Sequence, residues 1–517
     1  VGTSALSSDT KGDNTVAIGN GALATQNFTT NTNCFNVAVG IDAANDLTTG
    51  VQNTIIGGYA GDALTDADYN VAVGTSAIGA DTLGSKTTAI GRNALQSQNF
   101  TTATDTHNTA VGYAAGESVT TGQFNTLIGS LAGDAITDAS GNVAVGYAAL
   151  TANTTGEFNT AIGREALEAN LGADNNTAVG FRAGTAVTSG GITAVGYLAG
   201  AALETGVGNV FMGELAGTAV TSNNNTAVGS QALSSAVGGH SNASFGHDAG
   251  RLITGSRNTC IGNDAGAAAT SIDDCVIIGS GAGSTATMTG HDNILIGSSA
   301  ASNLTGGRNV VIGKDAGATA TDLTTGTDNI IIGYQTRANA GGMTNAIVMG
   351  DSVTAQGNNE FTFGNGNTDS NIVFGATSIN APSDERYKEE VATSTAGLSF
   401  INDLRPVTFK WKKEKDVPSD HEAYVEGSDT RVMLSTGETN HGFIAQEVKT
   451  AIDAHSEIKD GFRMWSEDQR YDNDGNLISG GRQRVAPSEL IPILTKAIQE
   501  LSAKNDALEA RIATLEG

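Results

Sequence analysis

The strings Asn-Thr-Ala-Val-Gly (108–112), Asn-Val-Ala-Val-Gly (142–146) and Asn-Ile-Leu-Ile-Gly (293–297) are copies of one motif, whose closing glycine recurs 20 times from Gly19 to Gly350, mostly 16 or 17 residues apart. A unit this short cannot enclose a core of its own, so each must pack on the next and the chain must grow along an axis. Two long early units also match each other, Asn27-Phe28-Thr29-Thr30 returning as Asn99-Phe100-Thr101-Thr102, as a block duplication would leave them.

Each unit carries a strand signal. The residue before the glycine is Val, Ile, Met or Phe, the residue three before it is usually β-branched, and Ala often stands between them. This alternation of period two sets Thr109 and Val111 on one face and Ala110 on the other. The third residue after the glycine is Ala in the first 18 units, from Ala22 to Ala316, which predicts a Cβ aimed into a gap with room for a methyl group and nothing larger. Four residues before the glycine, Asn fills 15 of the 20 positions. Stacked units would set these amides above one another as a hydrogen-bonded ladder; the alternative is an Asn that merely starts the strand as a turn residue. Proline is absent from the first 381 residues, as expected where every rung donates backbone N–H groups to its neighbour. At about 4.8 Å per rung the stack would be about 95 Å long. So thin a coil buries little apolar surface alone, and three identical chains side by side would supply the rest in a closed ring.

Two different polymers meet near residue 382. All five prolines and both tryptophans lie at or beyond Pro382, while 59 of the 68 glycines precede residue 383. Residues 1–382 hold 10 Lys and Arg against 29 Asp and Glu, so they lack the clustered cations that grip nucleic acid or an anionic membrane surface. No apolar run approaches the ~20 residues of a membrane span. Cys34, Cys260 and Cys275 are odd in number and lack metal spacing, so buried free thiols are expected, and no metal or cofactor. The chain opens at Val1 without a signal pattern, which predicts an upstream attachment part.

Over residues 14–350 the repeats resemble the head repeats of trimeric autotransporter adhesins. That resemblance implies left-handed parallel β-rolls bundled in threes, although these units are somewhat long for such heads.

Beyond Ser383 the sequence is more charged. Leu404-Arg405-Pro406-Val407-Thr408-Phe409-Lys410-Trp411 reads as a strand, Asp474-Gly475 as a hairpin turn, and Pro487-Ser488-Glu489-Leu490 as the opening of a helix. Leu494, Ile498, Leu501, Asn505, Leu508, Ile512 and Leu515 then alternate four and three apart, a coiled-coil seam with one polar position. The fold expected is mainly β: a trimeric β-roll or β-solenoid shaft of about 20 rungs over 1–350 and a β-rich neck over 351–382, followed by a small α+β domain over 383–490 and a coiled-coil helix over 491–517.

Ser383-Asp384-Glu385-Arg386-Tyr387-Lys388, then Leu404-Arg405-Pro406, then His441-Gly442-Phe443-Ile444-Ala445-Gln446-Glu447-Val448 and the terminal helix resemble the intramolecular-chaperone autoprotease of phage tail fibres and tailspikes. The same domain type occurs in a eukaryotic membrane-bound transcription factor. The resemblance implies a single self-cleavage at Pro382-Ser383, with Ser383 as nucleophile, Lys388 as its base, and structural roles for Asp384, Arg386, Gly442, Gln446 and Glu447. A hydroxyl attacks an amide poorly until a base takes its proton, and lysine is that base only when burial or nearby positive charge lowers its pKa. Tyr387 departs from the Leu common in the family, and Pro382 restricts the backbone on the acyl side. The resemblance further implies a homotrimeric fibre on a virion tail, assembled in the host cytoplasm, joined to other tail proteins and meeting a host-surface glycan or outer-membrane component.

Two other classes compete for these residues. A bacterial-surface trimeric adhesin would end in a membrane-anchoring barrel, where heptads stand here. A glycan depolymerase would set two carboxylates about 5–9.5 Å apart, whereas Glu165, Asp248 and Asp315 form no recurrent pair in the sequence. Gly279-x-Gly281-x-Gly283 belongs to the repeat and lacks the ending of a phosphate loop. Asp472-x-Asp474-Gly475 has Arg470 where a calcium loop needs an acid.

Overall fold

The computed structural model describes the chain except for residues 286, 319–322, 377–378, 380–382, 384, 420–422, 433–436, 469, 472–476, 479–481 and 517. It forms two compact units, Val1–Pro382 and Ser383–Gly517.

The first unit is a β-solenoid of 20 rungs, one short strand per repeat from Val16–Ile18 to Ile347–Gly350. Consecutive strands pair in parallel with the repeat in register, Ala110 beside Leu127 and Leu127 beside Ala144. The ladder is closed off where Glu360–Gly364 pairs in parallel with Ile347–Gly350 and antiparallel with Ser370–Val373. There the buried Glu360 carboxylate accepts hydrogen bonds from the Gln356 and Gly357 N–H groups, Thr362 Oγ1 and Asn371 Nδ2, so a charge inside the cap is fully satisfied. The two long units spend their extra residues on side ladders, Gly12–Asp13 beside Thr32–Asn33 and Gly84–Ser85 beside Thr104–Asp105.

The marker glycine is required twice over. Gly129 has φ +137°, and a Cβ on it would sit 2.4 Å from the carbonyl oxygen of Gly146 one rung on. Three residues later the chain folds back over the strand, and all 18 alanines at that position, Ala22 to Ala316, are fully buried as the sequence predicts. From the second rung on, only the middle residue of the strand joins them; Ala17 of the first is half-buried. Ala110 is buried, while Thr109 and Val111 are half-buried on the outward side.

In most rungs the remaining interior volume is filled from one of two places. Where Leu95, Leu150 or Leu167 stands four past the glycine, the residue seven past is Gln98, Asn153 or Asn170; where the fourth is Gly61, Gly133 or Gly200, the seventh is Leu64, Ile136 or Leu203. Two large residues together would overfill the space, since a Cβ on Gly133 would already lie 2.8 Å from Ile136 Cδ1. The polar alternatives tie their own loops. Asn153 Oδ1 accepts from Gly156 N–H at 3.0 Å and its Nδ2 donates to Gly156 O at 2.9 Å.

The Asn column is a ladder, but mainly one of side chain to main chain. The Asn142 N–H donates to Asn125 Oδ1, its Oδ1 accepts from the Asn159 N–H, and its Nδ2 donates to Gly156 O, each at 3.0 Å. Direct amide-to-amide bonds add to this between Asn225, Asn242 and Asn258, and between Asn293, Asn309 and Asn329. The three cysteines are free buried thiols. Burial pushes Cys260 up to about 12 and Cys275 up to about 11, which removes them from thiolate chemistry.

The second unit packs α1 (Leu398–Asp403), α2 (Ala445–Ala454) and the first turns of α3 (Leu490–Glu516) around Phe400, with Val448, Ile452, Met464, Leu490 and Ile493. Glu500 on α3 accepts the Leu398 N–H at 2.9 Å and so caps the start of α1. Strand Val407–Phe409, inside the segment read as a strand, pairs antiparallel with Asn440–Gly442, and Trp465–Glu467 with Gln483–Val485. The turn at Asp474-Gly475 lies outside the described residues, and the strands flanking it, Arg470–Tyr471 and Leu477–Ile478, pair antiparallel. Pro492 is tolerated because it stands in the first turn of α3.

Two substitutions test this account of the shaft. Ala149→Leu should overpack its rung at a cost of about 1–3 kcal/mol. Asn142→Ala should leave the Asn159 N–H buried and unpaired, again costing about 1–3 kcal/mol. Hydrogen exchange at residues 143–145 and 160–162 should accelerate in both variants, and unchanged protection would contradict the ladder.

Candidate functional site

One short 3-10 turn, Glu385–Tyr387, separates the two residues expected to form a dyad. The Lys388 N–H closes that turn on Glu385 O at 3.0 Å. Five residues of chain are thereby folded back on themselves, and Lys388 Nζ donates to Ser383 Oγ at 2.7 Å. Both side chains and Arg386 are exposed. Pro382 and Asp384 lie outside the described residues. The arrangement gives nucleophile and base within hydrogen-bond reach, the geometric half of a Ser-Lys dyad. The electrostatic half, a desolvated lysine, is not supplied by this exposed turn.

The other motif residues hold the strand-to-helix junction. Arg405 forms a two-pronged pair with Glu447, Nε donating to Oε2 at 2.9 Å and Nη2 to Oε1. That guanidinium holds the Glu447 carboxyl below its ordinary range, and the carboxylate raises Arg405 in return. Glu447 also sits in the first turn of α2, where a negative charge suits the helix dipole. Gly442 pairs with Val407, and a Cβ on it would approach Phe409 Cε1 to 3.3 Å. Gln446 begins α2, its carbonyl accepting from Thr450 Oγ1 at 3.0 Å. Gly442, Gln446, Phe409, Trp411, Phe443 and Val485 line one open cleft of about 830 Å³. The structure therefore joins Ser383 to Lys388 and Arg405 to Glu447, as two separate pairs.

Residues 383–456 match the model of the peptidase S74 family, chaperone of endosialidase. The match opens on Ser383, the first residue of the second compact unit. No curated protein and no solved structure matches the chain. The protein is thus a β-solenoid shaft followed by a C-terminal region of the endosialidase-chaperone type.

Two features escaped the sequence reading. His455, just past α2, bonds through Nε2 to Asp403 at 2.8 Å and through Nδ1 to Glu457 at 3.0 Å, with its ring edge-on to Phe400. No motif marks it; its partners come together only when α1 packs on α2. In the shaft, ligand atoms of His247, Asp248 and Asp264 lie within 4.8 Å of one another. Arg251 Nε stands 3.8 Å from the Asp248 carboxylate, so that acid already has a cation beside it.

The hydrogen bonds to Asp403 and Glu457 raise the pKa of His455. A His whose folded pKa exceeds its unfolded value stabilises fully below the unfolded value, about 6.5, and that contribution is lost as pH rises through the folded value. The second unit should therefore melt at lower temperature as pH rises from about 6 to 8, and His455→Ala should flatten that dependence. Tryptophan fluorescence reads this unit alone, because Trp411 and Trp465 both belong to it. An unchanged slope in the variant would contradict the assignment.

Proposed function

We propose that three copies of this chain form a viral tail fibre, that the C-terminal unit templates the folding of the shaft, and that Ser383 then severs the Pro382-Ser383 bond. The observation that carries the cleavage is the 2.7 Å hydrogen bond from Lys388 Nζ to Ser383 Oγ, at the start of the family match. With Lys388 neutral, Oγ attacks the Pro382 carbonyl carbon while its proton passes to Nζ. The C–N bond breaks and the amine of Ser383 leaves, protonated by Lys388, so residue 382 becomes an ester on Oγ. Water then hydrolyses the ester, which frees a Pro382 carboxylate and restores the serine hydroxyl.

The physical case for a template rests on the shaft. Parallel pairing of near-identical rungs folds slowly and leaves open edges on the way. A trimerising domain at one end fixes a starting register, and once it is removed the unfolding barrier alone holds the fibre. The exposed heptad residues of α3, Ile498, Leu501, Leu508, Ile512 and Leu515, support self-association. On this reading the shaft meets a host-surface glycan or outer-membrane component, and the fibre joins other proteins of a virion tail.

A denaturing gel of the expressed full chain beside Ser383→Ala and Lys388→Ala variants tests the dyad. Fragments corresponding to residues 1–382 and 383–517 are expected from the wild type alone. A full-length band in all three would leave a template without protease activity.

A further inference from the structure

The outward face of the shaft strands carries an unbroken apolar column along its whole length. In all 20 rungs the residue before the closing glycine is Val, Ile, Met or Phe, and none of these side chains is buried. Ile90 and Ile128 leave 39 % of their surface in water, Met212 44 % and Phe245 40 %. Two residues earlier stands Thr, Val or Ile in every rung except the one with Ala243, so neither outward column contains a charged residue. Toward the C-terminal end the strands become apolar throughout, as in Ile294–Ile296, Val310–Ile312 and Ile330–Ile332. Parallel strands have this composition when both faces are covered. Here the chain covers only the inner one. The column five residues before the glycine is mixed instead, with Lys86, Arg257, Asp274, Arg308 and Asp328 beside Phe35, Phe124 and Phe158.

We infer that the outward strand faces of three copies turn toward a common axis and bury one another along the full length of the shaft. The inference rests on the trimeric reading above and adds which surface makes the contact. A second copy is the occupant because the covering surface must itself repeat every ~4.8 Å over about 95 Å, as another stack of these rungs does. On the order of 70 Å² of exposed apolar side chain per rung gives roughly 1,400 Å² per chain, more than the ~800 Å² per partner of a stable interface. A patch of that extent is far larger than a solitary soluble chain leaves in water. The turn segment six residues past the marker glycine, where Ala80 is exposed, stays in solvent.

Thiol labelling of the full chain, kept uncleaved by Ser383→Ala, tests the assignment with little perturbation, because Cys34, Cys260 and Cys275 are fully buried and give a silent background. Ile162→Cys places a thiol on the outward strand face and Ala80→Cys places one in the exposed turn segment. A bulky maleimide should react with the Ile162→Cys variant at least about tenfold more slowly than with the Ala80→Cys variant, in a particle whose solution mass equals three chains. Equal labelling in a three-chain particle would overturn the assigned face and leave the trimer standing. A mass of one chain would overturn the trimer, and the inference with it.

Discussion

Fifteen of the 20 rungs of the shaft are tied to the next by one exchange: an Asn oxygen accepts the backbone N–H of the residue that occupies the same place one rung on. Asn125, Asn142 and Asn159 form such a run, buried and satisfied on both sides. The bond does more than add stability. It fixes which residue of one rung faces which residue of the next, so the alanines, the marker glycines and the strand centres all fall into columns. A slip by one residue would set Thr109 in the interior and Ala110 in water, and would strand the amides as unpaired buried groups.

The same regularity creates a difficulty for folding. Rungs that are nearly interchangeable satisfy one another almost as well when paired one unit out of step, so local interactions alone specify stacking more strongly than they specify position along the stack. Features that break the periodicity are few. The side ladders at Thr32–Asn33 and Thr104–Asp105, the antiparallel cap at Ser370–Val373, and the C-terminal unit mark positions that the repeat cannot. An end that starts the stack in one register therefore has a physical purpose, and the proposed template role answers that need.

Much of the shaft is legible in the sequence because its constraints are steric and periodic. The glycine interval gave the rung, the alternation gave the strand, and the invariant alanine gave the tight inner turn. The positive φ values were not legible. Phe124 and Phe158, each one residue before the ladder Asn, adopt φ +59° and +56°, a left-handed conformation that costs a non-glycine residue roughly 1–2 kcal/mol and that no aromatic side chain advertises. The exchange of filler between Leu150 with Asn153 and Gly133 with Ile136 was likewise hidden, because it appears only when two positions are read together against one volume. In the C-terminal unit the terminal helix was legible from its heptads, whereas the pairing of Ser383 with Lys388 came from a family resemblance. His455 between Asp403 and Glu457 depends on helix packing and had no sequence signal at all.

The two units thus divide the work: one multiplies a weak rung by repetition, and the other carries the motif residues, the exposed heptads and the family match. The shaft itself is a stack of single-strand rungs with an uncovered apolar face. Electron cryo-microscopy of the full chain tests this architecture most directly. A rod about 95 Å long with a layer spacing of ~4.8 Å and threefold symmetry about its axis is the predicted result. A shaft without that spacing, or one seen as an isolated single coil, would contradict it.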